Sequence, residues 1–330
     1  MERVVKIALD VSGPAEQIPE KIAGCVDSCS EHEDVNLVLL GDKGCIENAL
    51  ASYGPLKNRI QIVNVSQVIN ETDAPVQAVR DKQDSALVKG LTLVKNSEAG
   101  AFLFSGSPQV LKAGSQMLLG KIDRLGNAPM ATFVPGINKP FLLIDSGSAD
   151  TNVRPSDFVL FSRMGSLYMQ YLSAEQRPEV RLLSDAAIPE NGGTLYRDSY
   201  ELLRRCREIN FGGTIKPREL HYGKADVIVC DGFVGRLMID MIDGFIKGIA
   251  SVSVKRKHSF FGKTRETDYD GIITNLDISA RGLTFFPGIK GNVMSICEKP
   301  YRDTIQKAIG YASRLIKEDI EARLISNLKL

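Results

Sequence analysis

Short apolar runs alternate with segments of helical period along most of this chain. The runs at 4–9, 35–40, 60–65, 101–104, 130–134, 141–144, 180–183, 209–211 and 227–230 are too short for helices and rich in Val, Ile, Leu and Phe. Each reads as a buried strand. Apolar residues three and four apart predict helices over 14–29, 46–52, 85–95, 110–121, 157–172 and 199–207. A further helix follows 232, and one long helix is expected over 301–330. Strands that alternate with helices in this way predict an α/β fold: a doubly wound, mostly parallel sheet with helices on both faces. No linker, repeat or low-complexity tract interrupts 1–330, so one domain is expected, with a division into two lobes left open. Residues 255–271, KRKHSFFGKTRETDYDG, are polar, basic and irregular, and read as an exposed excursion.

Composition narrows the function classes. The 330 residues are 43% hydrophobic and 25% charged, with a net charge of +1. That is ordinary for a soluble globular protein and leaves no nucleic-acid footprint. No apolar run reaches the roughly 18 residues of a membrane span. The start, MERVVKIALDVSG, reads as a strand and turn instead of a signal peptide, so a cytoplasmic protein is expected. Six cysteines form no C-x-x-C pair, and Cys25 and Cys29 share one face of a predicted helix, as buried thiols do. The three histidines have no zinc-like spacing, so no metal and no cofactor is expected.

The candidate chemistry lies at the strand ends. Asp10 to Gly13, Gly41-Asp42, Ser105-Gly106-Ser107, Asp145 to Ser148 and Asp231-Gly232 each close an apolar run. In a parallel sheet such turns gather on one edge, where small residues let a ligand reach the backbone and helix N-termini favour anions. Any one turn is what a strand-to-helix loop needs; five together point to a ligand cleft. In 225–244, ADVIVCDGFVGRLMIDMIDG, the strand stops at Asp231-Gly232 and a helix starts at once, which predicts free backbone N–H groups there. Residues 74–90 hold Arg80, Lys82 and Asp84 before a helix, either a phosphate clamp or a solvated helix face.

Several motifs match one family. Residues 210–235, NFGGTIKPRELHYGKADVIVCDGFVG, resemble the run N-F-x-G-x-x-x-x-R-D-L and A-D-V-V-V-x-D-G-F-x-G-N of the PlsX family, with Arg236 in place of its last Asn. Residues 163–168 resemble A-I-M-G-S-x-Y. Pro75, Ala78, Arg80, Lys82, Asp84 and Ser85 match P-x-x-A-x-R-x-K-x-D-S, 39–42 match L-V-G-D, and Asp10 and Gly13 match two positions of D-A-M-G-G-D. The resemblance runs end to end. It implies a Rossmann-like architecture of the isocitrate/isopropylmalate dehydrogenase kind. It also implies an acyl transfer from acyl carrier protein, or acyl-CoA, to inorganic phosphate, giving acyl phosphate for phospholipid synthesis. A homodimer is implied, with Arg80, Lys82 and Asp231 among the catalytic residues. Phosphate and acyl contacts would come from Asp10, Gly13, Ser105, Gly106, Ser107, Asp145, Gly147, Gly232 and Gly235.

Four loops depart from the family pattern. S-A-G-N-T-G-A reads FSGSPQV at 104–110, where Pro108 removes a donor but suits a first helical position. D-V-G-A-N-x-D reads DSGSADT at 145–151, N-x-G-T-E-x-x-K-G-N reads SDAAIPENGG at 184–193, and H-G reads Cys297-Glu298. Two alternatives therefore stand beside an active transferase. One is a catalytically impaired binding or partner protein. The other is an acyl-phosphate-forming subunit of a reductase complex, with Cys297 as nucleophile instead of a buried structural thiol. The excursion joins Lys255, Arg256, Lys257, Lys263 and Arg265 to Phe260-Phe261. It reads as a plain solvated loop or as a docking element for acidic acyl carrier protein or the anionic inner membrane face.

Overall fold

The structure is a computed structural model that describes residues 4–70, 73–123, 125–126, 128–147, 152–173, 175–185, 193–256, 276, 282–296 and 301–328. The chain divides into two compact units. The first comprises Met1–Ala128, Gln170–Glu175 and Leu283–Leu330, the second Pro129–Met169 and Gln176–Gly282.

In the first unit the strands are β1 (Val5–Asp10), β2 (Val35–Gly41), β3 (Ile60–Asn64), β4 (Ala101–Phe104), β10 (Leu283–Phe285) and β11 (Asn292–Ile296). They lie in the order β3-β2-β1-β4-β11-β10, and every pair is parallel except β10 with β11. β2 and β4 are buried along almost their whole length, which is why they read as unbroken apolar runs. The order reverses at β1: it pairs with β2 in the register Ile7↔Leu37 and with β4 in the register Ile7↔Ala101. Such a switch point leaves a crevice at the carboxyl ends of the two strands, with Asp10 on one lip and Ser105 on the other. The helices of this unit are α1 (Ile18–Glu31), α2 (Lys43–Leu50), α3 (Pro75–Asp81), α4 (Ala86–Lys95), α5 (Pro108–Leu118), α9 (Arg302–Lys317) and α10 (Ile320–Leu328).

The second unit orders its strands β5-β6-β9-β7-β8: β5 (Ala131–Val134), β6 (Phe141–Ile144), β7 (Glu179–Leu183), β8 (Asn210–Ile215) and β9 (Val227–Val229). Only β5 with β6 is antiparallel. Its helices are α6 (Pro155–Leu172), α7 (Thr194–Arg205) and α8 (Gly232–Arg256). Phe141, Leu143, Leu183, Ile215 and Ile228 form a core against which α8 lays Val234, Met238, Ile239 and Ile242.

The strand and helix alternation stands as the sequence predicts, with three corrections. The 301–330 segment is two helices, not one. Asp319 takes a left-handed conformation (φ 48°), and the new helix turns Ile320, Leu324 and Leu328 inward. Lys255 and Arg256 end helix α8 and are not part of an irregular segment, while 257–271 lie outside the described residues. The helix α3 and the strands β10 and β11 carried no expectation. α3 presents Arg80, Asp81 and Gln77 to solvent with little apolar stripe, and β10 spans only three residues. Among the described residues no helix is long and apolar enough to cross a membrane.

Helix α4 packs on β4 through Gly90, where an added Cβ would lie 2.2 Å from the Phe102 ring. Gly310, inside α9, has nothing within 4 Å of that position. Gly90→Ala is therefore expected to destabilise by roughly 1–3 kcal/mol through overpacking. Gly310→Ala is expected to stabilise by up to about 1 kcal/mol from helix propensity alone. Denaturant unfolding of both variants checks this, and a loss of equal size in both would contradict the close contact.

Candidate active site

The crevice at the β1/β4 switch point encloses a cavity of about 210 Å³. Its floor is Asp10, Ser12, Gly13, Ser105 and Gly106; its walls are the first turns of α4 and α5 and the segment 67–70. Asp10 is buried, and its carboxylate is used by the protein. One oxygen accepts the Ser12 N–H (2.9 Å) and hydroxyl (2.6 Å), the other the Ser105 N–H (3.2 Å). Ser105 also donates its hydroxyl to the Asp10 carbonyl (3.0 Å), tying the ends of β1 and β4 together. Gly13, at φ +118°, makes a turn that a side chain would strain.

Two helix starts open onto the cavity. Helix α5 begins Ser107-Pro108, and the Ser107 hydroxyl points to the Gln109 side chain (2.9 Å) and caps nothing. Pro108 has no N–H to lose, and Leu111 N–H donates to the Ser107 carbonyl (3.1 Å). The first-turn N–H groups of Gln109 and Val110 thus have no intrahelical acceptor. On α4 the Ser85 hydroxyl caps the helix by taking the Val88 N–H at 3.4 Å, and the Ala86 and Leu87 N–H groups of that first turn have no intrahelical acceptor. Among the described residues no Lys or Arg lines the cavity. Such N–H groups and the two helix dipoles favour an anion there.

Lys82 and Asp84 act on the cavity wall. Lys82 Nζ donates to the Val68 carbonyl (2.8 Å) and pairs with Asp73, which in turn accepts the Asn70 N–H (2.8 Å). Asp84 accepts the Ser66 N–H (2.8 Å) and hydroxyl and pairs with Lys89, while its own N–H donates to Gln67 Oε1 (2.8 Å). These contacts hold 66–70 in place. Arg80 is exposed on α3 and does not line the cavity.

In the second unit Asp145, Gly147, Asp231, Gly232 and Gly235 come together at the carboxyl ends of β6 and β9. Asp145, fully buried, accepts the Met130 (2.9 Å) and Gly147 (3.2 Å) N–H groups. Gly235 is where α8 meets this loop: a Cβ there would fall 1.9 Å from the Asp145 carbonyl oxygen. Arg236, at the family's Asn position, donates to the Gly147 carbonyl (3.0 Å). Asp231 caps α8. One carboxylate oxygen accepts the Phe233 and Val234 N–H groups (both 3.0 Å), and the other accepts the Tyr196 hydroxyl (2.6 Å). Burial pushes the Tyr196 phenol well up, with Cys230 and Asp231 adding to the shift, so it stays a protonated donor. The expectation of open N–H groups at Asp231-Gly232 is corrected: the aspartate itself takes two of the three in that first turn.

Sequence reasoning missed Lys21 and Tyr196. Lys21, in helix α1, is 1% exposed and reaches Ser105 from behind. Burial raises the thiol pKa values of Cys25, Cys29 and Cys230. Cys297, Ala149 and Glu190 lie outside the described residues.

A family model described as "Fatty acid synthesis protein" matches residues 5–323. A phosphate acyltransferase of Clostridium perfringens is 32% identical over 329 residues, covering 98% of this chain and 96% of the relative. One from Clostridium tetani is 30% identical over 330 residues, covering 98% and 97%. Among solved structures, a phosphotransacetylase from Staphylococcus aureus has a TM-score of 0.57 at 12% identity, with 94% of each chain covered. A branched-chain phosphotransacylase from Enterococcus faecalis has a TM-score of 0.55 at 13% identity, covering 94% of this chain and 99% of that one. At such identities the structures share the fold.

Hydrogen bonds from Lys89 and Ser66 hold the Asp84 carboxyl down at about 2. Its folded value lies below the unfolded one of about 3.9, so its stabilisation is complete above that pH and lost as pH falls towards 2. Asp84→Asn should therefore lose stability at neutral pH and show a flatter stability profile between about pH 4 and pH 2 than the wild type. Denaturant melts across that range check it, and parallel profiles would contradict the role of Asp84.

Proposed function

The chain belongs to the fatty acid synthesis protein (PlsX) family, and on that footing we propose that it is a phosphate acyltransferase. It takes the acyl group from the thioester of acyl carrier protein, or of acyl-CoA, and passes it to inorganic phosphate. The acyl phosphate then feeds phospholipid synthesis. A phosphate oxygen attacks the thioester carbonyl carbon, the new C–O bond forms, and the C–S bond breaks. The phosphate proton leaves with the sulfur, which departs as a thiol. No covalent enzyme intermediate is needed, so the protein's work is to hold phosphate and offset charge.

The observation that carries this reading is the uncapped start of α5 beside the first turn of α4 on the first unit's cavity. Bare N–H groups on two converging helix starts suit a phosphate. Asp10, Gly13, Ser105, Gly106 and Ser107 frame that site. Lys82 serves it through 66–70, not by touching phosphate. Asp145, Gly147, Asp231, Gly232 and Gly235 shape the loops of the second unit.

The protein works in this reading as a cytoplasmic homodimer with peripheral contact at the inner membrane face. Phe233, Leu237, Met241 and Phe245 support self-association. They recur every four residues on one face of α8 and are 70%, 47%, 54% and 68% exposed. A second copy of the same helix is the apolar partner that would cover them.

Purified protein with acyl carrier protein thioester or acyl-CoA and phosphate should yield acyl phosphate, trapped as hydroxamate, in step with thiol release. Thiol release without acyl phosphate, or no turnover across several acyl lengths, would overturn the assignment. Phe245→Glu should shift the sedimentation equilibrium towards monomer, and an unchanged dimer would exclude the α8 face as the contact.

A further inference from the structure

Lys21 is a costly residue where it stands. It is almost completely buried, and it lies in the first turn of α1, where the helix dipole disfavours a cation. Its ammonium donates to the Ser12 carbonyl (2.7 Å) and to the Ser105 hydroxyl (2.7 Å). The Ser105 hydroxyl in turn donates a hydrogen bond to the Asp10 carbonyl, so Lys21 fixes the direction of that hydroxyl. The ammonium also lies 3.7 Å from where a Cβ on Gly13 would sit. Ser12, Gly13 and Ser105 all line the cavity, so the charge is one layer of atoms behind its wall.

Asp10 forms part of the same floor and carries the opposite charge. Without a cation nearby, that carboxylate would repel an incoming dianion across a short, poorly solvated distance. We infer that Lys21 is the positioning residue that makes this cavity accept phosphate: it offsets Asp10 and fixes Ser105 without touching the substrate. The inference rests on the reading of the cavity as the phosphate site. It assigns a role in acceptor binding to a residue of α1 that belongs to none of the motifs noted in the sequence.

Lys21→Met is expected to raise KM for phosphate by about tenfold or more and leave KM for the acyl donor within about twofold. Adding Asp10→Asn to that variant should recover at least about threefold of the loss, because the repelling charge goes too. A folded Lys21→Met enzyme with unchanged phosphate KM would overturn the inference while leaving the reaction intact. So would a loss that Asp10→Asn does not relieve, since a merely structural role predicts no recovery. Should Lys21→Met fail to fold, Lys21→Gln, which keeps a hydrogen-bond donor without the charge, takes its place in the same comparison. If the wild type forms no acyl phosphate, the assigned reaction fails, and inorganic phosphate alone then tests Lys21. A phosphate-dependent rise in the unfolding midpoint of the wild type that Lys21→Gln abolishes supports the inference; a rise in both, or in neither, overturns it.

Discussion

Aspartates at the carboxyl ends of the strands collect the N–H groups that the turns would otherwise leave bare. Asp10 closes β1 and binds the N–H groups of Ser12 and Ser105. Asp42 follows β2 and takes the Cys45 N–H at the start of α2. Asp145 follows β6 and binds Met130 and Gly147, and Asp231 follows β9 and binds Phe233 and Val234. Hydrogen bonds to a charged acceptor contribute roughly 1.5–3 kcal/mol each, about twice those between neutral groups. They also fix direction: some fold a loop back at its own strand end, as Asp10 does with Ser12, and others tie one strand end to another, as Asp10 does with Ser105. The shape of both loop clusters depends on this one device.

The same device decides where an anion can sit. A helix start capped by its own carboxylate has spent most of its donors on that acid. That is the condition of α8 at Asp231, which takes the Phe233 and Val234 N–H groups. Helix α5 has the opposite arrangement, with a serine that caps nothing and a proline that needs no acceptor. The segment 104–110 departs from the family's glycine-rich pattern, yet its Pro108 still opens a helix and leaves the next N–H groups bare. In the proposed reading those bare N–H groups are what the loop offers to phosphate. Arg236 likewise departs from the family's Asn but is used, holding the Gly147 carbonyl.

The fold was largely legible because its central strands are buried on both faces, and burial writes itself as continuous apolar runs. The break at Asp319 was not, since a single left-handed residue leaves the helical spacing on both sides intact. At the strand ends, the motifs marked the turns but not what their side chains do. Asp231 in a D-G turn reads as an invitation to an anion, and only its geometry reveals a cap. Lys21 was hidden for a related reason: a lysine in a predicted helix reads as solvent-facing, and nothing in its neighbours signals that Ser105, 84 residues on, lies within reach. Lys82 was found by its motif, yet its partners, Asp73 and the Val68 carbonyl, belong to the chain itself.

The central claim is that phosphate sits between the uncapped start of α5 and the first turn of α4 in the first unit. Arsenate mimics phosphate and scatters X-rays anomalously, so crystals of the protein soaked in arsenate test it directly. The account predicts an anomalous peak in the cavity bounded by Gly13, Ser105 and the first turns of α4 and α5, displaced by competing phosphate. A phosphate-displaceable peak at Asp231-Gly232, with that cavity empty, would contradict it.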